Sequence, residues 1–185
     1  MDVELDDIAH GIARVARWNG QTSGQFSYSV AQHSCLVEAI AAGMQPNLNP
    51  RERLAILLHD ASEYVVGDVV TPLKTALGEA FRQIEDRLQA AILISFGLSA
   101  SAPEPLRLLV KRADKRAAWL EATRLAGFSE SEARLIFGDP EPAPALTAAI
   151  DELLDPWPAE LAQARFRERV QACLAAKQAG HETAL

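Results

Sequence analysis

The sequence is poor in cysteine, in aromatic residues and in long apolar runs, and each shortage excludes a class of protein. Its 185 residues include two cysteines, Cys35 and Cys173, which lie far apart and form no CxxC pattern. We therefore expect two reduced, buried thiols in a cytoplasmic protein rather than a disulfide scaffold. Aromatic residues make up only 6% of the chain. No apolar run approaches the roughly 18 residues of a membrane-spanning helix, so we expect no membrane partner.

Positive charge is also in short supply. The chain has 18 Lys and Arg residues against 25 Asp and Glu residues, which gives a formal net charge of −7. This surplus of negative charge repels a phosphate backbone, so we expect no nucleic acid polymer as a partner. The net charge is still compatible with a small anionic ligand that is held by a local group of Arg or Lys side chains. The N-terminal segment MDVELDDIAHGIARVARW lacks the basic start and apolar core of a secretory signal, which also favours a cytoplasmic location.

Alanine and leucine, by contrast, are abundant. The chain contains 33 Ala and 23 Leu residues against 19 Val and Ile residues together. Because alanine and leucine are strong helix formers, the composition predicts an all-α fold, and the length suits a single domain over residues 1–185. Apolar residues spaced three and four apart predict helices near residues 6–18, 27–43, 50–66, 77–97, 103–127, 129–137, 145–154 and 158–179.

Two stretches interrupt this helical pattern. Residues 67–74 should be irregular because Gly67 and Pro72 break the periodicity, and the run DPEPAP at 139–144 should be a stiff loop. We expect five to seven helices in the central bundle, with the C-terminal helices packed outside it. The last helix is amphipathic, and its apolar face fits either an intramolecular core or a homodimer contact.

Four polar residues lie on or beside the apolar faces of predicted helices, where such side chains are unusual. His59 and Asp60 are adjacent at the polar end of the apolar run AILLHDASE, His33 lies on the apolar face of an earlier helix, and Asp114 interrupts the apolar side of a later one. A carboxylate among apolar residues is unfavourable unless a positive group meets it. One divalent cation shared by the four residues would explain all four placements, and mixed imidazole and carboxylate ligands suit Mn, Fe, Co, Zn or Ni better than Ca.

The spacing by itself is also compatible with purely structural roles for these residues. A histidine on an apolar face is often a hydrogen-bonded core residue, and an adjacent His-Asp pair at a helix end is common by chance. Asp114 could also pair with Arg112 or Lys115 across the surface.

The order of these residues resembles the H…HD…D signature of the HD-domain superfamily of metal-dependent phosphohydrolases. The segment LLHDASEYVVGDVVTPLK, residues 57–74, closely resembles the HDASE…GD…TPxK block of the bacterial 5′-deoxynucleotidase branch. The pair Arg17-Trp18 matches an Arg-Trp pair of that branch. The segments YSVAQHSCLVEAI and ADKRAAWLEATRL resemble the helices that carry its first His and its last Asp. The resemblance covers about residues 5–126, beyond which a C-terminal helical extension covers about residues 140–180, and it implies an HD-domain-like helical bundle.

The resemblance implies a role for each matching residue. His33, His59, Asp60 and Asp114 would be the ligands of one divalent metal ion, with Mg added to the candidates above. Glu63 matches the acid beside the metal-activated water, and Asp68 matches a second acidic residue near the substrate; these two are the implied catalytic residues. Arg17 matches an arginine that clamps the phosphate, Trp18 would pack against the sugar or base, and Lys74 would be a second phosphate contact.

The function implied by the resemblance is that of a phosphomonoesterase acting on ribo- or deoxyribonucleoside 5′-monophosphates. Gln32, which precedes His33, stands where deoxynucleotidases of this branch carry Glu, and this departure leaves the nucleotide specificity open. Two alternatives are hydrolysis of a nucleoside triphosphate or pyrophosphate substrate, and a non-catalytic helical module that binds a nucleotide or a partner, or that has a regulatory role. His10 and His181 have no role in the resemblance.

Overall fold

The computed structural model describes residues 3–138 and 148–182, and the regular secondary structure of these residues is helical. An isolated antiparallel bridge joins Ala16 to Ser29. The all-α prediction is therefore confirmed for this part of the chain, while the predicted loop at 139–144 lies outside it. The helices are α1 (Leu5–Ile12), α2 (Val30–Met44), α3 (Pro50–Leu57), α4 (Glu63–Val66), α5 (Thr71–Ser95), α6 (Glu104–Arg124), α7 (Glu130–Phe137), α8 (Ala148–Leu153) and α9 (Ala159–Glu182).

Helix α2 occupies the centre of the bundle. Eleven of its 15 residues are buried, because α6, α3, α9 and α8 all pack around it. The sequence pattern had placed its apolar residues on one face, and the structure corrects this: a helix at the centre of a bundle buries every face. The polar side chains of α2, among them Gln32, His33 and Glu38, are buried with the rest and therefore need partners inside the protein.

Helix α3 begins where the sequence predicts and ends earlier. Asn49 accepts hydrogen bonds from the backbone of Arg51 and Glu52, and the Glu52 side chain accepts one from the Asn49 backbone in return. This reciprocal cap fixes the start of the helix. The helix ends at Leu57 rather than running on to residues 63–66, so His59 and Asp60 lie in a turn between α3 and α4.

Helix α5 starts earlier than the sequence predicts. Pro72 lies in its first turn, where the missing N–H of proline leaves no hydrogen bond unmade, so residues 71–74 are helical rather than irregular. The interruption comes at Gly78, whose φ of 74° breaks the helix into two parts. The C-terminal part is anchored by Gln89, which donates to the carbonyl of Leu58 and accepts from the N–H of Ser62.

The C-terminal helix completes the core instead of packing outside it, which corrects the sequence-based expectation. Helix α9 packs on α3, α2 and α1, and Phe166 and Val170 are fully buried. Arg169 of this helix also donates a hydrogen bond to the buried Glu38. The apolar face of α9 is therefore intramolecular core. None of the helices in residues 3–138 and 148–182 is long and apolar enough to cross a membrane.

Candidate metal centre

The structure brings the four predicted ligands together. One donor atom from each of His33, His59, Asp60 and Asp114 lies within 4.8 Å of the other three. His33 comes from the buried helix α2, His59 and Asp60 come from the turn after α3, and Asp114 comes from α6. His59 and Asp60 reach this group from the turn that follows the early end of α3.

Both histidines direct Nε2 toward the carboxylates. His33 Nε2 lies 3.5 Å from an oxygen of Asp60 and 3.2 Å from one of Asp114, and His59 Nε2 lies 3.1 Å from the same Asp60 oxygen. Neither Nε2 has hydrogen-bond geometry to any residue that the structure describes, although both atoms are buried. A buried nitrogen without a hydrogen bond is unfavourable, and a cation in the centre of the group would satisfy both nitrogens.

The other ring nitrogen of each histidine is already engaged. His59 Nδ1 lies 2.9 Å from the carbonyl oxygen of Ile56, and His33 Nδ1 lies 2.5 Å from an oxygen of Glu121. Each of these acceptors favours a proton on Nδ1, which leaves the lone pair on Nε2. This is the usual arrangement of metal-binding histidines in proteins. The residues present therefore fit a divalent metal ion with nitrogen and oxygen ligands.

Glu63 lies beside this group and is almost fully buried. Its Oε2 has no hydrogen-bond partner among the described residues, and its Oε1 lies 3.7 Å from Lys74 Nζ. Burial, reinforced by the negative charges of Asp60 and Asp68, raises the pKa of Glu63 to about 9. Lys74 Nζ donates to Glu85 at 2.7 Å, so the predicted phosphate contact is held between two glutamates.

Asp68 and Arg17 face each other on the same side of the centre. Arg17 Nη1 lies 3.9 Å from an oxygen of Asp68, and both side chains are largely buried. Burial raises the pKa of Asp68, and the opposite charge of Arg17 only partly offsets this effect. Arg17 reaches this position because Arg17 N–H donates to the carbonyl of Tyr28 and Val30 N–H donates to that of Val15, which ties the segment after α1 to the start of α2. The first helix therefore ends at Ile12, well before the predicted residue 18.

Glu121 is the site residue that sequence reasoning missed. It is completely buried on α6, and its Oε2 accepts hydrogen bonds from Arg17 Nε at 2.8 Å and from Trp18 Nε1 at 2.9 Å, while its Oε1 faces His33. Burial alone would raise the pKa of Glu121, but the adjacent Arg17 and His33 lower it to about 2. A signal was present in the sequence: Glu121 follows Asp114 by seven residues, which is two helical turns, and therefore shares its face of α6.

Trp18 has an unusual backbone and a defined environment. Trp18 and Asn19 both adopt left-handed conformations, with φ of 57° and 52°, which non-glycine residues rarely adopt. The indole packs against Phe128 and Phe137, with ring centroids 5.7 and 6.1 Å away. The hydrogen bond to Glu121 and these two rings hold Trp18 in place beside the metal centre.

Gln32, the departure noted in the sequence, faces away from the metal centre. Its amide nitrogen donates to the carbonyls of Leu153 and Asp155, and its amide oxygen accepts from the N–H of Trp157. The side chain therefore fastens the α8–α9 connection to α2. Gln32 is thus engaged by the C-terminal segment rather than by the metal centre.

A cavity of about 540 Å³ opens beside two of the proposed ligands, His59 and Asp114. Gln89 from α5 and Arg107 and Lys111 from α6 are among its other lining residues. Its size suits a small-molecule ligand. Arg17, Trp18, Glu63, Asp68 and Lys74 do not line this cavity.

Comparison with known proteins identifies relatives of this chain. No family model matches it. It is 55% identical over 142 residues to the uncharacterized protein RCAP_rcc00048 of Rhodobacter capsulatus, a match that covers 77% of this chain and 72% of that protein. It is 30% identical over 107 residues to the uncharacterized protein YfdR of Escherichia coli, which covers 57% of this chain and 54% of that protein.

Proposed function

This chain belongs to the same family as the uncharacterized protein RCAP_rcc00048 of Rhodobacter capsulatus, and we propose that it is a metal-dependent phosphohydrolase of the HD-domain type. Its proposed reaction is the release of inorganic phosphate from a ribo- or deoxyribonucleoside 5′-monophosphate. The proposal joins the resemblance of residues 5–126 to the HD-domain superfamily with the chemistry of the side chains around the candidate metal centre.

The observation that carries the proposal is the pair of buried Nε2 atoms of His33 and His59. Both point into one group of two carboxylates and have no hydrogen bond among the described residues. Both Nδ1 atoms have acceptors that favour the ligating tautomer. A purely structural core histidine needs neither feature, because it can satisfy its second nitrogen with a protein acceptor.

A divalent ion at this position supplies Lewis acidity and lowers the pKa of water toward neutrality. The residues around it supply the rest. Glu63 holds or moves a proton at its unpartnered Oε2. Arg17 presents its terminal guanidinium nitrogens to the phosphate, with Asp68 fixing one of them from the side. Trp18 excludes water from the same side.

The test is a hydrolysis assay on protein that has been stripped of metal and reloaded separately with Mn²⁺, Fe²⁺, Co²⁺, Ni²⁺, Zn²⁺ or Mg²⁺. The substrates are ribo- and deoxyribonucleoside 5′-monophosphates, with the matching 3′-monophosphates as a control for position. We expect metal-dependent release of inorganic phosphate from the 5′-monophosphates. The Asp114→Asn variant, purified in the same way, should release none, which excludes a contaminating phosphatase.

Metal-loaded protein that binds these nucleotides but never releases phosphate would favour the non-catalytic module instead. Metal-free protein with full activity would contradict the proposal outright.

A second candidate function is hydrolysis of a substrate with more phosphate groups, such as a nucleoside triphosphate. The observation in its favour is that Arg107 and Lys111 line the cavity beside His59 and Asp114, because additional phosphates need additional cations. Including di- and triphosphates in the panel decides between the two, since the released product would be pyrophosphate or tripolyphosphate rather than phosphate alone. The Lys111→Gln variant should impair this second activity and leave monophosphate hydrolysis unchanged.

A further inference from the structure

We propose that Glu121 is a positioning residue that links the metal centre to the anion-binding arginine. One carboxylate holds His33 through Oε1 and holds both Arg17 and Trp18 through Oε2. It thereby sets the geometry of a metal ligand and of two substrate-binding residues together. This inference rests on the proposed function, because it assigns Glu121 a part in the same site.

The first end of this link fixes the tautomer of His33. An ionised Glu121 carboxylate accepts hydrogen bonds but cannot donate one, so His33 Nδ1 must carry a proton. In the neutral ring, Nε2 then presents its lone pair to a metal ion. His33 and Glu121 are both completely buried, so water cannot replace the carboxylate as the partner of Nδ1. The orientation of this ligand therefore depends on Glu121.

The second end holds the segment that carries Arg17 and Trp18. Glu121 binds Arg17 through Nε, so the terminal nitrogens are the part of the guanidinium that can meet an anion. The left-handed backbone at Trp18 and Asn19 is unfavourable for non-glycine residues, and this conformation persists only where neighbouring groups enforce it. The hydrogen bond from Trp18 Nε1 to Glu121 is one of the contacts that hold this backbone conformation.

Helix α6 makes this link rigid. It carries Asp114, a proposed ligand, and Glu121 two turns later on the same face, and it packs along α2. A displacement of α6 would move the metal ligand and the positioning carboxylate together. The metal centre and the anion-binding arginine are therefore both held by side chains of one helix, α6, rather than by two independent loops.

The variant Glu121→Gln tests the link because an amide can replace the carboxylate toward Arg17 and Trp18 but not toward His33. Its oxygen can still accept from Arg17 and Trp18, but its NH₂ group then donates to His33 Nδ1 and moves the ring proton to Nε2, where it opposes metal binding. We expect the affinity for Mn²⁺, measured by isothermal titration, to fall ten- to a hundredfold, as is typical when the partner of a ligating histidine is lost.

The matched control is Glu38→Gln. Glu38 is also a buried glutamate that accepts hydrogen bonds from two arginines, Arg53 and Arg169, but it does not contact the metal centre. This variant should lose stability and keep the wild-type affinity for Mn²⁺. Equal losses of affinity in both variants would reduce Glu121 to a structural role and overturn the inference.

A measurement on the unmodified chain keeps the inference falsifiable if a variant does not fold. In Zn²⁺-loaded protein, ¹H–¹⁵N spectra of the histidine side chains should show a slowly exchanging proton on Nδ1 of His33. A spectrum in which that proton is missing, or in which Nδ1 binds the metal, would overturn it. If wild-type protein binds no metal at all, the proposed function and this inference both fail; if it binds metal and Glu121→Gln binds equally well, the inference alone fails.

Discussion

Replacing Gln32 with Glu tests whether this position docks the C-terminal segment or selects the substrate. Gln32 is completely buried and donates to the carbonyls of Leu153 and Asp155 at 3.1 and 2.6 Å. Glutamate keeps the acceptor for the N–H of Trp157 but cannot donate to both carbonyls. An ionised carboxylate would face two carbonyl oxygens, and a protonated one could bind only one of them.

The expected cost follows from these bonds. Each buried hydrogen bond left unmade costs about 1–3 kcal/mol, so losing both should lower the free energy of unfolding of Gln32→Glu by about 2–6 kcal/mol. For a protein of this length, each kcal/mol corresponds to about 2–4 °C in Tm, so we expect a decrease of about 4–24 °C.

The assay is urea unfolding followed by circular dichroism, with hydrolysis measured at a temperature where both proteins are folded. Gln45→Glu is the control, because it makes the same change at an exposed position of the same chain segment, where the cost should stay below about 1 kcal/mol. If Gln32→Glu unfolds like the wild type and instead changes the preference among nucleotides, the proposed docking role is wrong.

Three further predictions follow from burial and close packing. Glu63→Gln should flatten the pH dependence of the stability of metal-free protein. The pKa of Glu63 is raised to about 9 in the folded state, so folded protein keeps a proton that unfolded protein loses above about pH 4.5, and the free energy of unfolding of the wild type should fall by up to about 2.7 kcal/mol more than that of the variant between pH 6 and pH 8. An equal fall for both proteins in urea unfolding would contradict this. Gly11→Ala should destabilise the fold by about 1–3 kcal/mol in thermal unfolding, because a Cβ at this position would lie 2.8 Å from Cβ of Tyr64. The control, Gly43→Ala at an exposed helical position, should be neutral or stabilising in the same assay. Both cysteines should react with a thiol reagent only after unfolding in guanidinium, because burial raises the pKa of Cys35 to about 12 and shields both thiols; rapid labelling of folded protein would refute this.

Local signals in the sequence predicted the helices well where capping residues mark their limits. Asn49 and Pro50 fixed the start of α3, and Ser129 with Glu132 caps α7 close to the predicted residue 129. Two of the errors came from tertiary contacts, whereas the start of α5 was missed because Pro72 lies in the first turn of the helix rather than breaking it. Helix α1 ends early because the following residues bridge to the start of α2, and α9 joins the core because α2 and α3 leave a face for Phe166 and Val170 to cover.

The candidate site was predicted in part for a similar reason. The four metal-binding candidates could be identified because an unpaired His or Asp on an apolar face is conspicuous by residue type. Glu121 is equally unusual in α6, but its partners, Arg17 and Trp18, lie about a hundred residues earlier in the chain, and no local pattern connects them. The hydrogen bonds of Gln32 to the α8–α9 connection were hidden for the same reason.

The central claim is that His33, His59, Asp60 and Asp114 hold one divalent ion. It is tested most directly by titrating metal-free protein with Mn²⁺ and counting bound ions per chain by elemental analysis after gel filtration. One ion per chain in the wild type, and none in Asp114→Asn with its helical circular dichroism spectrum intact, is the predicted result. Wild-type protein that retains no ion, or an Asp114→Asn variant that retains the full complement, would contradict the claim.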